Sequence, residues 1–445
     1  MGKRSSRKER YLKIALPENV KTIINTLEEH GYEAFAVGGC VRDSLLGRVP
    51  EDWDITTSAL PADIKKCFRR TVDTGIEHGT VTVLIGDDSY EVTTYRIDGE
   101  YKDSRHPSEV VFTDAVSEDL RRRDFTINAM AYNDEKGFVD LFGGRDDLKR
   151  RVIRCVGNAD DRFTEDALRI LRAIRFAAQL DFDIDAATRN AIADHAPNLK
   201  AVSKERILVE LSKLVCSAHI EKAADIPQLG VIPYIAKHFR EINIAQLMGL
   251  KTSALRLAGY DPDGDAAENE IDPHEDAFDL CKATTTGYRY IRFAFLCQGM
   301  KPENVDELMK DLKSDNITRK NAVLLTEWTL KPLPSDKYEL KKIMSGMSPE
   351  IFMDLLRVKL SSLGTMLYKK LCKDEDIRAV IDSFNEIAGN EEPVYMTDLA
   401  VGGADLKAAG VAEGPQLGSI LNKMLDHVWK KPEDNDKEKL IGMFA

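Results

Sequence analysis

At 445 residues the chain can bury several cores, and 43% hydrophobic with 31% charged residues is the balance of an ordinary folded, multi-domain protein. A net charge of −12 excludes strong unspecific attraction to polyanions, so any nucleic-acid contact must come from a local basic face. No apolar run is long enough to cross a bilayer, and seven cysteines without a C-x-x-C pair argue against a disulfide framework. No membrane partner and a reducing cytoplasmic compartment are expected.

Residues 1–12 are basic and no apolar run follows them, so a disordered arm is expected and not a secretory signal. Helical periodicity from Lys13 to Glu29 stops at His30-Gly31. Phe35-Ala36-Val37 reads as a strand ending at Gly38-Gly39. A helix follows with Val41, Leu45 and Leu46 on one side and Gly47 as its stop. That order leaves backbone N–H groups and a helix start where an anion can sit, and Arg42 adds a full positive charge. Asp52-Trp53-Asp54-Ile55 is read as a strand, which puts both carboxylates on one face. Carboxylates so close repel unless a divalent cation lies between them; beside phosphates the fitting hard cation is Mg2+. Pro61 opens the next helix. Thr80–Ile85 and Tyr90–Tyr95 flank Gly86-Asp87-Asp88 as a β-hairpin, with Glu91, Thr93 and Tyr95 on one face. Glu91 is therefore a candidate third carboxylate. The polar stretch from Arg96 to Val110 reads as a long mobile loop.

Strand, Gly-Gly, helix and Asp-x-Asp in that order resemble the nucleotidyltransferase superfamily. The form Gly38-Gly39-Cys40-Val41-Arg42-Asp43 is similar to the class of bacterial CCA-adding enzymes (class II tRNA nucleotidyltransferases) and poly(A) polymerases. The family's second motif is matched from Arg122 to Ala129, where the alternative reading is an ordinary charged helix. Its third is matched at Asp140-Leu141-Phe142-Gly143-Gly144, with Leu141 in place of the usual proline. Its fourth, Glu-Asp-x-x-Arg, lies at Glu165 to Arg169, and Ser203 to Glu210 resembles a fifth.

The stretch Arg162–Phe176 reads as one helix. Asp166, Arg169, Arg172 and Arg175 form a polar stripe beside the apolar stripe of Leu168, Leu171 and Ile174. A solvated face with ion pairs is the plain reading, but arginines in line repel unless something anionic faces them. An ionised carboxylate only accepts hydrogen bonds and a guanidinium only donates them. Asp166 beside Arg169 would accept from the amine of C or A and donate to the neighbouring ring nitrogen or carbonyl. U and G place a carbonyl against Asp166, a mismatch that can discriminate by roughly 10⁴-fold. Arg172 and Arg175 would look toward phosphates, and Arg206 would pair with Glu210 on its own helix.

The resemblance implies an α+β fold: a nucleotidyltransferase head of the polymerase β palm type with a mixed sheet (13–155). An all-α neck (156–220), body (221–335) and tail (336–445) would follow. It implies addition of the 3′-terminal CCA to tRNA from CTP and ATP without a template. Catalysis would rest on Asp52 and Asp54 as Mg2+ ligands with Glu91 beside them. Gly38, Gly39, Arg42, Arg123, Asp124, Asn128, Asp166, Arg169, Arg172 and Arg175 would hold the nucleotide. CC-only or A-only addition and polyadenylation are the alternatives within the family; the loop at Asp98–Pro107 and the acidic Glu433–Asp436 run favour full CCA addition. A catalytically silent RNA-binding protein is the alternative outside it, disfavoured because both aspartates are present. Sequence leaves monomer and homodimer open. Polar clusters at Gly259–Pro273 and Lys331–Lys337 read as linkers, and His274 as a surface histidine.

Overall fold

The computed structural model describes residues 13–99, 110–242, 289–362, 366–372 and 376–444. The chain forms two compact units, one ending at Ala236 and the other beginning at Lys237. The basic arm, most of the polar loop after Asp98, the Gly259–Pro273 cluster and His274 lie outside the described residues.

In the first unit, α1 (Glu18–Glu29) starts later than its periodicity suggested. Pro17 biases the residue before it away from helical backbone, so the helix cannot extend back to Lys13. Nine strands follow in the head: β1 (Ala34–Val37), β2 (Ile55–Thr57), β3 (Thr71–Gly75), β4 (Thr80–Ile85), β5 (Asp88–Thr94), β6 (Arg96–Asp98), β7 (Val110–Phe112), β8 (Ala131–Asn133) and β9 (Gly137–Val139). Seven of them form one sheet in the order β3-β4-β5-β2-β1-β8-β9. Only β2 and β5 run parallel, so the sheet is mixed as expected. The polar loop departs from expectation at its ends: Arg96 pairs with Phe112 and Asp98 with Val110 in a separate two-stranded ladder.

Alternation divides the sheet. Ile55, Val81, Val83 and Val92 are fully buried and face the side on which α1 and α3 (Pro61–Cys67) pack. Residues of opposite parity are polar, and Thr74–Thr82 and Thr80–Thr93 hydroxyl pairs at 2.8 and 3.0 Å mark that face. Farther along it, Phe35, Val37, Tyr95 and Ala131 pack with Leu120 of α4 (Val116–Arg121). One face of the head is thus a core, and the other is part core and part open polar floor.

The stretch Arg122–Ala129 is not helical throughout; α4 ends at Arg121 and a 3₁₀ turn covers Thr126–Asn128. Asp140 accepts from the N–H groups of Gly144 and Arg145 at 2.7 and 2.9 Å, starting α5 (Gly144–Arg150). A Cβ on Gly144 would lie 2.2 Å from the Thr126 carbonyl, which is why this position is glycine. The neck holds α6 (Ala159–Glu165), α7 (Leu168–Leu180), α8 (Ala186–His195) and α9 (Lys204–Val215). It also contains one short parallel ladder, Val152–Ile153 with Asp183–Ile184.

The second unit is helical among its described residues. The connection around Lys331–Lys337 joins helices Asn316–Thr329 and Lys337–Met344. Two fully buried lysines tie helices together. Lys359 donates to the Thr329 and Lys331 carbonyls at 3.1 and 2.7 Å, and Lys341 pairs with Glu392 at 2.6 Å. Near the C-terminus, Val401, Leu406, Met424, Val428 and Leu440 form a small core of their own.

Candidate active site

Asp52 and Asp54 lie at the lip of β2 and not inside it, since the strand begins at Ile55. The Asp54 carbonyl still accepts from the Val37 N–H at 3.0 Å, which continues the β1–β2 ladder by one residue. Carrying the Ile55↔Val92 register back one step puts Asp54 alongside Glu91, on the polar face. All three acids are open to solvent. Even so, surrounding protein raises the Asp54 pKa, Asp52 adds to the rise, and Arg123 opposes it. Glu91 is raised by burial first, then by Asp54 and Asp52. Burial and neighbouring carboxylates that hold Asp54 and Glu91 up in this way leave hard oxygen donors whose charge a divalent cation can neutralise.

Behind the acids the glycine pair has a narrower role than its pattern suggested. The Gly38 N–H already donates to the Met130 carbonyl at 3.0 Å. Gly38 has φ +82°, and a Cβ there would lie 2.9 Å from Nη1 of Arg123. The positive φ calls for glycine here, and the Arg123 guanidinium rests in the space that a Cβ would take. Gly39 opens α2 (Gly39–Leu45). Arg42, on that helix, makes two bonds to Asp43 at 2.9 and 2.7 Å and one to Asn128 Oδ1 at 2.6 Å.

Arg123 is held by a residue that sequence reasoning passed over. Asp119 is fully buried on α4; it accepts from Arg122 Nε and Nη2 at 2.9 and 2.7 Å, and from Arg123 Nη2 and Thr56 Oγ1 at 3.2 Å each. Burial works to raise its carboxyl, but Arg123 and Arg122 outweigh that and hold it below the ordinary range. Its spacing three and four residues before two arginines was the available signal.

The polar stripe does not lie on one helix. α6 ends at Glu165 and α7 begins at Leu168, with Asp166 extended between them at φ −145°, ψ 99°. The Asp166 carboxylate accepts from the Leu168 N–H at 3.1 Å, a local bond that competes with helical backbone. Its other oxygen accepts from Arg206 Nη2 at 2.7 Å. Arg169 donates to Glu165 Oε2 at 2.8 Å and to the Arg122 carbonyl at 3.0 Å. Arg172 binds Asp124 Oδ2 through Nε and Nη2 at 2.9 and 2.6 Å, and Asn128 Nδ2 donates to Asp124 Oδ1 at 3.0 Å. Burial works to raise Asp124, but Arg172 and the Asn128 bond hold it far below the carboxylate range. Arg175 is 4% exposed and paired with Glu210 at 2.5 Å. Arg172 and Arg175 therefore engage carboxylates of the head and the neck, Asp124 and Glu210, instead of facing an open phosphate site, and Glu210 serves them and not Arg206. Phe176, also unassigned by sequence, lies 5.0, 5.4 and 3.8 Å from the guanidinium carbons of Arg42, Arg172 and Arg175.

Three consecutive residues join these parts. The Arg122 carbonyl takes Arg169, the Arg123 side chain stands beside Asp54 and Gly38, and the Asp124 carboxylate takes Arg172. Among the described residues, the one group of three acid or histidine side chains whose possible ligand atoms lie within 4.8 Å of one another is Asp181, His219 and Glu221, and not Asp52, Asp54 and Glu91. Lys222 and Arg151 lie 3.9 and 3.7 Å from Asp181 and balance its charge.

The family model described as the Poly A polymerase head domain matches residues 34–154. A second, described as a probable RNA and SrmB-binding site of polymerase A, matches residues 181–237. The CCA-adding enzyme of Levilactobacillus brevis is 34% identical over 425 residues, 96% of each chain. The chain belongs to the CCA-adding enzymes. It shares with this nucleotidyltransferase family the head-and-helices architecture described above. The CCA-adding enzyme of Leuconostoc mesenteroides is 48% identical over 208 residues, 47% of this chain and 52% of that relative, so over this match the chain spans about half the relative's length. The solved CCA-adding enzyme of Bacillus stearothermophilus, in complex with CTP, superposes with a TM-score of 0.74 at 30% identity and 95% coverage of both chains. No helix among the described residues is long and apolar enough to cross a membrane.

Proposed function

We propose that this chain adds the 3′-terminal CCA to tRNA, using CTP and ATP and releasing pyrophosphate. The observation that carries the proposal is the Arg122–Arg123–Asp124 strut, which fastens the Asp166/Arg169 segment to the acid cluster. In this reading Asp52 and Asp54 hold Mg2+ and Glu91 completes the acidic floor. The metal supplies Lewis acidity for the RNA 3′-hydroxyl and for the leaving pyrophosphate. The protein's own share is placement and charge. Arg123, backed by Asp119 and seated on Gly38, faces the triphosphate together with Arg42 and the start of α2 at Gly39. Asp166 keeps acceptor capacity beyond its two protein bonds, and Arg169 keeps donors beyond its own, so the pair can meet the amine-and-acceptor edge shared by C and A. Asp124, Asn128, Arg172 and Arg175 act one step back, holding α7 against the head.

The RNA partner is the acceptor arm of tRNA, recognised by shape and backbone. The helical body and tail would carry that contact, in a cytoplasmic protein whose oligomeric state is set by experiment. The relatives' names and the CTP complex of the Bacillus enzyme support this reading over polyadenylation. The test is tRNA ending at its discriminator base, incubated with Mg2+ and CTP, ATP or both, with products resolved to the nucleotide. Two added residues with CTP alone and three with both are expected. A product that stops at two with both present, or a long A tract, would overturn full CCA addition.

A further inference from the structure

We infer that Arg206 is a positioning residue for nucleotide choice, holding the Asp166 carboxylate in the orientation that reads the base. The inference rests on the reading of Asp166 and Arg169 given above. Asp166 stands in extended backbone between two helices, so no helical geometry fixes its side chain. Two hydrogen bonds do so. The one from the Leu168 N–H is local, two residues along. The one from Arg206 Nη2, at 2.7 Å, comes from α9, forty residues away, and is the bond that ties the carboxylate to a separate element. Arg169, by contrast, is fixed from both sides by Glu165 and by the Arg122 carbonyl.

Arg206 commits only one of its two terminal nitrogens to Asp166. Its Nη1 is buried with no hydrogen-bond partner. Arg123 and Arg162 likewise each have a buried Nε without one, so the bond to Asp166 is what distinguishes Arg206. Without Arg206 the carboxylate is still present but turns about its local bond. The loss then falls on discrimination between bases more than on nucleotide binding.

The experiment compares Arg206→Gln, Arg206→Lys and Asp166→Ala in the full chain, with Mg2+ and tRNA lacking CCA. It reads the ratio of kcat/KM for CTP over UTP, with thermal unfolding as a check of folding. R206Q is expected to lower that ratio by roughly tenfold or more through kcat/KM for CTP. R206K keeps one N–H for Asp166 and is expected to fall between, about threefold or more below the parent. A ratio within twofold of the parent in R206Q overturns the inference, as does equal loss for CTP and UTP. If R206Q fails to fold, R206K decides by the same limits. D166A separates the two readings: an unchanged ratio there overturns base reading itself, whereas a collapsed ratio there with an unaffected R206Q overturns only the role of Arg206.

Discussion

Replacing Asp52 by Asn removes one negative charge from the acid cluster and leaves its shape. Nucleotide incorporation should fall by at least about 10³-fold, because in the proposed reading Asp52 is a metal ligand where charge develops in the reaction. Binding of CTP and tRNA should change little, as equilibrium titration can check, and near-parental single-turnover rates would refute the assignment. Gly38→Ala tests a different residue-scale claim. The φ of +82° and the 2.9 Å approach of Arg123 mean that a methyl group both strains the backbone and displaces the guanidinium. A stability cost of about 1–3 kcal/mol by denaturant titration is expected. A raised KM for CTP is expected with it.

At the scale of elements, α9 fastens α7 through Glu210, which reaches Arg175 and Arg172 at 2.5 and 3.5 Å. Both partners of the closer pair have side chains only 5% exposed. Glu210→Ala strands a buried guanidinium and should cost about 3–5 kcal/mol in urea unfolding. The double variant Arg175→Met/Glu210→Leu should recover much of that, because it removes both charges together. Sequence made β1 and the β4–β5 hairpin legible, since β-branched runs, glycine turns and alternation are local signals, while the mixed sheet was expected from the family resemblance. It misjudged the break at Asp166, where a side chain competes with its own backbone, and it put Arg172 and Arg175 toward phosphates. Those partners, Asp124 and Glu210, lie 48 and 35 residues away in the chain, and spacing carries no information at that distance. Phe176 escaped for a similar reason, since Arg42 reaches it from another element, whereas the short spacing of Asp119 to Arg122 and Arg123 was a signal left unread.

For the whole molecule, acid sensitivity should follow two of the buried carboxylates of the first unit, Asp119 and Asp124. Asp119 and Asp124 both have folded pKa values below the unfolded value of about 3.9. Groups shifted in that direction stabilise the fold fully above about pH 5, and the contribution is lost as pH falls through 4 and below. The denaturation midpoint should therefore drop between pH 5 and pH 3, and Asp124→Asn should flatten that drop. Thiol chemistry gives an independent check on packing. Burial pushes Cys40, Cys155 and Cys297 up to about 12, whereas Cys67 is partly open. Alkylation of the native protein at pH 8 should reach Cys67 well before those three. The Arg122–Asp124 strut has a further bearing on how such a molecule errs. Consecutive Cα atoms are about 3.8 Å apart, so in the proposed reading the base site and the acid floor are joined by one hydrogen bond, one covalent step and one charge contact. A base that seats badly against α7 drags its own phosphorus out of line with the attacking oxygen. Misreading would then surface as slowness, and fidelity and speed could not drift apart without a change in the length of that one short piece of chain.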